Sequence, residues 1–289
     1  MGPRILALAL VLAAGLSCAA ELRIGLIPEQ NVFKQTERYQ PLGEYLARKT
    51  GLGIRFTILP RYGNVIDRIR EEHLDGAFFG SFTGALAIER LGAVPLARPV
   101  NLDGTSTYRG YLFVRKGSGI RRVADMKGKR IAFVEQATTA GYVFPLAYFR
   151  EHGVKDPAKY FKEVYFAGSH DAAIYAVLDG KADVGCAKHS MFDRLRRREP
   201  RVAAELTVLA ESSDVPSNGL LVWPGVAAAD RARLTSALLA MDKDPAGIEV
   251  LRRFEALRFL PVSKADYSPV YDLARRAGID LKTYTWLNQ

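Results

Sequence analysis

Two short segments hold the residues best suited to chemistry: Gly168-Ser169-His170-Asp171-Ala172-Ala173 and Ala137-Thr138-Thr139-Ala140-Gly141-Tyr142. Each sets small, hydroxyl-bearing or glycine residues just ahead of a helix-forming run. The first turn of a helix exposes N–H groups without an intrahelical partner and the positive end of the helix dipole. Two such starts aimed at one cleft make an oxyanion-binding site with no catalyst in it. Thr is also a favoured N-cap, and Asp171 suits a first helical turn through the dipole alone, so ordinary capping is the alternative reading.

Catalytic and metal-binding patterns are missing. The four histidines, His73, His152, His170 and His189, have no metal-type spacing with cysteine or with one another. No G-x-S-x-G, Walker A or G-x-G-x-x-G run occurs. Cys186 closes an apolar strand and reads as a small core residue, not a nucleophile. Glu71-Glu72 reads as a solvated helix face. Binding without turnover is therefore expected, with no metal and no cofactor.

The elements that must position these segments begin with residues 1–20, which read as a signal peptide. Arg4 is its n-region, Ile5–Leu16 its apolar core and Ser17-Cys18-Ala19-Ala20 its cleavage region. The run is short for a membrane span, though a retained anchor is an alternative. Cys18 is an alternative lipid acceptor, with Gly15-Leu16-Ser17 a poor approach to it. A periplasmic protein is expected. Cys186 then has no disulfide partner, and 48% hydrophobic residues leave stabilisation to the core.

The formal charge is +10, and +9 once Arg4 is removed. The basic residues are scattered, and the densest patch, Arg194-Leu195-Arg196-Arg197-Arg198, suits a helix C-terminus. Neither export nor the motifs favour nucleic acid. Small anionic solutes fit the balance better.

Strand and helix patterns alternate through the chain. Leu22–Ile27, Ile54–Ile58 and Gly76–Phe79 read as strands. Helices at Tyr39–Lys49, Asn64–Leu74 and Thr83–Leu91 follow them in turn. A second unit follows, with strands at Tyr111–Val114, Arg130–Val134, Glu163–Phe166, Ala182–Cys186 and Leu206–Leu209. Its helices fall at Thr139–His152, His170–Leu178 and Ser190–Arg198. This is an α/β pattern of mostly parallel sheets flanked by helices. Asp103–Arg109 and Glu211–Gly219, rich in turn residues, read as two crossings. The second unit is then inserted into the first: lobe 1 is 21–104 plus 217–289, and lobe 2 is 105–216.

These residues resemble the phosphate/phosphite/phosphonate substrate-binding proteins of ABC importers. The likeness is carried by Gly168–Ala173 with Val177-Leu178, Gly180 and Ala182–Gly185, by Phe79-Gly80-Ser81-Phe82, by Val123–Val134 and by Gly141–Pro145. It implies a two-domain type II periplasmic-binding-protein fold and a small phosphorus oxyanion held in the interdomain cleft. It also implies hinge closure, a membrane permease as partner and a monomeric binding protein. A protein that presents its ligand state to a membrane signalling partner is the alternative.

The resemblance assigns ligand contacts to Thr138, Thr139 and the Ala140 position, to His170, and to Tyr62 from the opposite lobe. Ala140 lacks the hydroxyl expected there. Asn218 stands where aminoalkylphosphonate binders place an acid, which argues against an amine-bearing ligand. Tyr108 and Ser81 are further cleft candidates. Tyrosines are also half-buried for packing alone, and Gly80-Ser81 would equally suit a plain turn. Lys188 and His189 follow a strand end, with a surface position equally compatible with the pattern.

Overall fold

Alternation makes the first strand. Leu22, Ile24 and Leu26 are buried while Glu21 and Arg23 face outward. The helix Val32–Thr50 then buries Tyr39, Leu42, Tyr45 and Leu46 at helical spacing. Gly51, at φ 70°, ends it in a conformation glycine adopts without penalty. The computed structural model describes residues 21–29, 32–67, 71 and 73–286. The expected signal peptide and Cys18 lie outside the described residues.

The strands are β1 (Glu21–Leu26), β2 (Gly53–Ile58), β3 (Gly76–Phe79), β4 (Val94–Asn101), β5 (Thr107–Tyr108), β6 (Gly110–Arg115) and β7 (Arg130–Phe133). They continue as β8 (Glu163–Phe166), β9 (Val184–Lys188), β10 (Leu206–Glu211), β11 (Val215–Pro216), β12 (Gly219–Val222) and β13 (Ala256–Pro261). Two mixed sheets form, ordered β13-β4-β12-β3-β1-β2 and β10-β6-β9-β7-β8. β1 runs parallel to β2 and β3, and β7 parallel to β8 and β9. β12, β13 and β6 run against the rest of their sheets. The chain passes between the sheets at β5 and β11, which pair antiparallel through Tyr108↔Val215 and Thr107↔Pro216.

One buried cluster runs through both sheet units, joining Ile27, Phe79 and Phe82 to Leu112, Val134 and Phe144. The outer helices close separate clusters on the far faces. The C-terminal helix Ser268–Arg276 packs against both Ser81–Leu91 and Phe144–Glu151. Arg276 reaches Glu151 at 2.6 Å, and Tyr284 Oη donates to the Gln136 carbonyl at 3.0 Å. The last segment thus spans both units.

Three helices differ from expectation, the first of them beginning at Val32 and not at Tyr39. Of the helix read at Asn64–Leu74, only Asn64–Asp67 is helical among the described residues; 68–70 and 72 lie outside them. The helix read at Thr139–His152 opens as a π-helical turn, Thr139–Val143, before the α-helix Phe144–Glu151. The cause is local. Pro145 has no N–H to offer the Gly141 carbonyl, which instead accepts from Val134 N–H at 3.2 Å. No helix among the described residues is long and apolar enough to cross a membrane.

Candidate functional site

The parallel strands of both sheets end at one cavity, as open α/β sheets place their ligands. β1 leads into Ile27 and Glu29, and β3 into Gly80. β7 leads to Ala137, Thr138 and Thr139; the turn after β8 leads to His170; and Lys188 ends β9. Tyr62, Tyr108, Phe82 and Asn218 complete the wall.

Three helix starts meet here. Thr139 opens the π turn, whose wide geometry leaves the first N–H groups without intrahelical partners. His170 opens its helix behind the N-cap Ser169, whose Oγ accepts from Ala172 N–H. From the opposite sheet, Ser81 opens a helix behind Gly80. Ser81 Oγ lies 2.6 Å from both Tyr108 Oη and Thr139 Oγ1, so the hydroxyls of the two sheet units meet directly.

Gly141 allows this turn to sit where it does. A Cβ there would lie 2.4 Å from Val134 Cβ and 2.7 Å from Thr138 Oγ1. Thr138 lines the cavity but donates its own hydroxyl to the Glu135 carbonyl, at 2.6 Å. Ala140 is buried but does not line the cavity; its backbone lies behind the turn, against Gly110.

His170 is 4% exposed. Burial and the neighbouring Lys188 lower its pKa to about 4, against the pull of Glu29 and Asp171. Its ring is therefore neutral at pH 7. Nδ1 accepts the Lys188 backbone N–H at 3.2 Å, which places the ring proton on Nε2. The Tyr62 ring meets it edge-on at 6.1 Å. Burial, with Glu29 and Glu135 adding to it, pushes the Tyr62 phenol well above its ordinary range, so it stays a donor. Its backbone N–H donates to Glu135 Oε2 of the other sheet unit at 3.0 Å.

Two buried polar atoms in this wall have no partner among the described residues: Tyr62 Oη and Asn218 Nδ2. Asn218 is oriented by Lys188, whose Nζ lies 3.3 Å from Oδ1. An ammonium only donates, so the oxygen must face it, and the NH2 group is left over. An unpaired buried donor costs about 1–3 kcal/mol. Such groups suit an acceptor-rich ligand.

Lys188 corrects the view of it as an equally good surface residue. Its side chain is 15% exposed, and Nζ lies 3.1 Å from Glu29 Oε1, itself 14% exposed. The ammonium also sits 4.5 Å from the centre of the Tyr108 ring. Burial raises the Glu29 pKa, but Lys188 and Arg38 outweigh it and hold the carboxyl at about 2. His189 is buried as well, with Nδ1 accepting Arg109 N–H at 3.0 Å, and is not part of the cavity wall. Glu29 lies just past the strand read at Leu22–Ile27, in a segment to which the sequence assigns no role. No local pattern marked its partner, 159 positions away.

No group of His, Cys, Asp and Glu suited to a metal occurs among the described residues. Cys186 is fully buried, and burial pushes its thiol pKa up, as for a core residue.

The family model described as "ABC transporter, phosphonate, periplasmic substrate-binding protein" matches residues 24–267. The phosphate-import protein PhnD of Mycolicibacterium smegmatis is 28% identical over 182 residues, which span 60% of this chain and 56% of that protein. The phosphonates-binding periplasmic protein of Escherichia coli K12 is 24% identical over 258 residues, 88% of this chain and 75% of its own length. A solved structure of PhnD1 from Prochlorococcus marinus, in complex with methylphosphonate, superposes with a TM-score of 0.78 at 20% identity. It covers 89% of this chain and 98% of that one. The two flanked mixed sheets are those of the type II periplasmic-binding-protein fold.

Proposed function

We propose that this chain, which belongs to the periplasmic phosphonate substrate-binding family of ABC transporters, captures a small phosphorus oxyanion in the cavity between its two sheets. The observation that carries the reading is the pair of orphaned donors, Tyr62 Oη and Asn218 Nδ2, on residues that line the same cavity as neutral His170 and three helix starts. An entering anion would part the Ser81–Thr139 contact and take over both hydroxyls as donors. The N–H groups of the π turn would hold its oxygens. Ser81 offers, across the cleft, a hydroxyl that position 140 lacks.

The relatives' names span phosphate and phosphonates, and the matched complex holds methylphosphonate, so these three with phosphite form the ligand set proposed here. The lobes are proposed to divide at 104/105 and 216/217, within the segments that hold the β5–β11 pair. They would close on the ligand by hinge motion, and the closed form would deliver it to a membrane permease.

Titration calorimetry of the purified mature chain tests this. Saturable binding of at least one of phosphate, phosphite and methylphosphonate is expected. Thr139→Ala and His170→Ala should each weaken it by about 1.5–3 kcal/mol, roughly 10- to 100-fold. Unchanged affinity in both variants would sink the assignment. Turnover of a bound phosphoryl compound would point to an enzyme instead.

A further inference from the structure

We propose that Lys188 sets the selectivity of this site, admitting an oxyanion that only accepts hydrogen bonds and rejecting a phosphonate that carries an ammonium. The inference rests on the oxyanion reading above and adds the substrate class.

The residues that line the cavity carry mostly donors: Tyr62 Oη, Asn218 Nδ2, His170 Nε2 and the Lys188 ammonium. Among the described residues, Glu29 is the one carboxylate in the wall. It is already held by Lys188 at 3.1 Å, and the same ammonium engages Asn218 Oδ1 and the face of Tyr108. A ligand ammonium would need an acceptor here, and the two strongest side-chain acceptors, Glu29 Oε1 and Asn218 Oδ1, both lie against the Lys188 ammonium. It would meet that charge at short range in a wall where water screens poorly. A dianion with three acceptor oxygens and a small apolar fourth substituent is attracted by that ammonium, which pairs with the Glu29 carboxylate at 3.1 Å and so also shields the dianion from it. Its oxygens satisfy the orphaned donors, and Ile27, Phe82 and Ala137 offer apolar surface for the substituent. Lys188 and Glu29 stand on opposite sheet units, so the charge that selects the ligand also joins the two sides of the cleft.

Calorimetry with methylphosphonate and 2-aminoethylphosphonate tests this on the mature chain, on Lys188→Met and on Glu29→Gln. The unmodified chain should favour methylphosphonate at least tenfold. Lys188→Met keeps the aliphatic stem and frees Glu29, so methylphosphonate should weaken at least tenfold and 2-aminoethylphosphonate should gain, reversing the preference. Glu29→Gln keeps the ammonium and should retain or widen the original preference, which keeps the test open if Lys188→Met does not fold. Equal binding of both ligands by the unmodified chain would overturn the proposal, as would an unaltered preference in folded Lys188→Met. So would a Glu29→Gln variant that favours 2-aminoethylphosphonate. In each of those cases methylphosphonate still binds and the oxyanion reading stands. If phosphate, phosphite and methylphosphonate all fail to bind the unmodified chain, both readings fall together.

Discussion

His170 shows how one buried residue couples binding to acidity. Its folded pKa of about 4 lies below the ordinary 6.5 because burial and Lys188 disfavour the imidazolium. Between those values the unfolded chain binds more protons than the folded one. Stability from this residue is thus fully present above pH 6.5 and is lost as pH falls through 4. The difference amounts to about 3 kcal/mol. Denaturant melts between pH 7 and pH 4 should show this fall, and His170→Gln should flatten it. Glu29, held at about 2, adds a loss in the same direction at lower pH, from about 4.5 downward. An equally steep fall in His170→Gln would show that the histidine is not its source.

The elements around the cavity are shaped by a few close contacts. The π turn exists because Pro145 cannot donate and the Gly141 carbonyl turns to Val134. Gly141 is required there because no Cβ fits between Val134 and Thr138. Gly141→Ala should therefore destabilise the fold by about 1–3 kcal/mol through overpacking. It should also weaken anion binding, since relief of the clash moves the N–H groups of residues 139–142. Calorimetric affinity and urea midpoints measured together check both effects. An alanine variant with wild-type stability would mean that the turn has slack the packing does not indicate. The helix at His170 is better buffered, with the Ser169 side chain capping its start.

Across the whole molecule, the two sheet units are tied at several separate places. Ser81 meets Thr139, Glu29 meets Lys188, the Tyr62 N–H meets Glu135, and Tyr284 reaches the Gln136 carbonyl. Outside the cavity, Arg194 reaches Glu255 across the cleft at 2.5 Å, and Glu255 ends its helix with φ 59°. That pair lies in a neighbouring pocket which shares Glu29, Lys188 and Asn218 with the cavity. Hinge opening would break these ties together. Arg194→Ala removes one of them without touching the cavity wall. It should lower anion affinity about two- to fivefold, in keeping with a partly exposed pair of about 0.5–1 kcal/mol. The order of preference among anions should not change. Small-angle scattering with and without saturating anion should show a larger ligand-free radius of gyration, more so in Arg194→Ala. Identical profiles in all four samples would argue against hinge closure.

Local chemistry explains what could be read along the chain. Period-two and helical spacings marked most strands and helices, because burial of one face leaves its trace in neighbouring residues. Hydroxyl and glycine residues ahead of helices marked Thr139 and His170 as anion-ready, because capping chemistry is local. The π turn was less legible, since it depends on what Pro145 cannot donate and what Val134 can. Other features needed the tertiary structure. Thr138 lies at the expected place, yet its hydroxyl is spent on Glu135, and Ala140 sits behind the wall. Asn218 was visible as an amide, but only its contact with Lys188 decides which end faces the cavity. The charge in the cleft was the least legible feature. Lys188 and Glu29 are 159 residues apart, and a strand-terminal lysine looks alike whether it turns to water or inward. Interactions between near neighbours made most of the elements, their order and the capping residues legible in the sequence, though not strands such as β4 and β13. The pairing of distant charges and the orphaned donors were decided by the packing of two sheets around one cavity, where one buried ammonium meets one buried carboxylate.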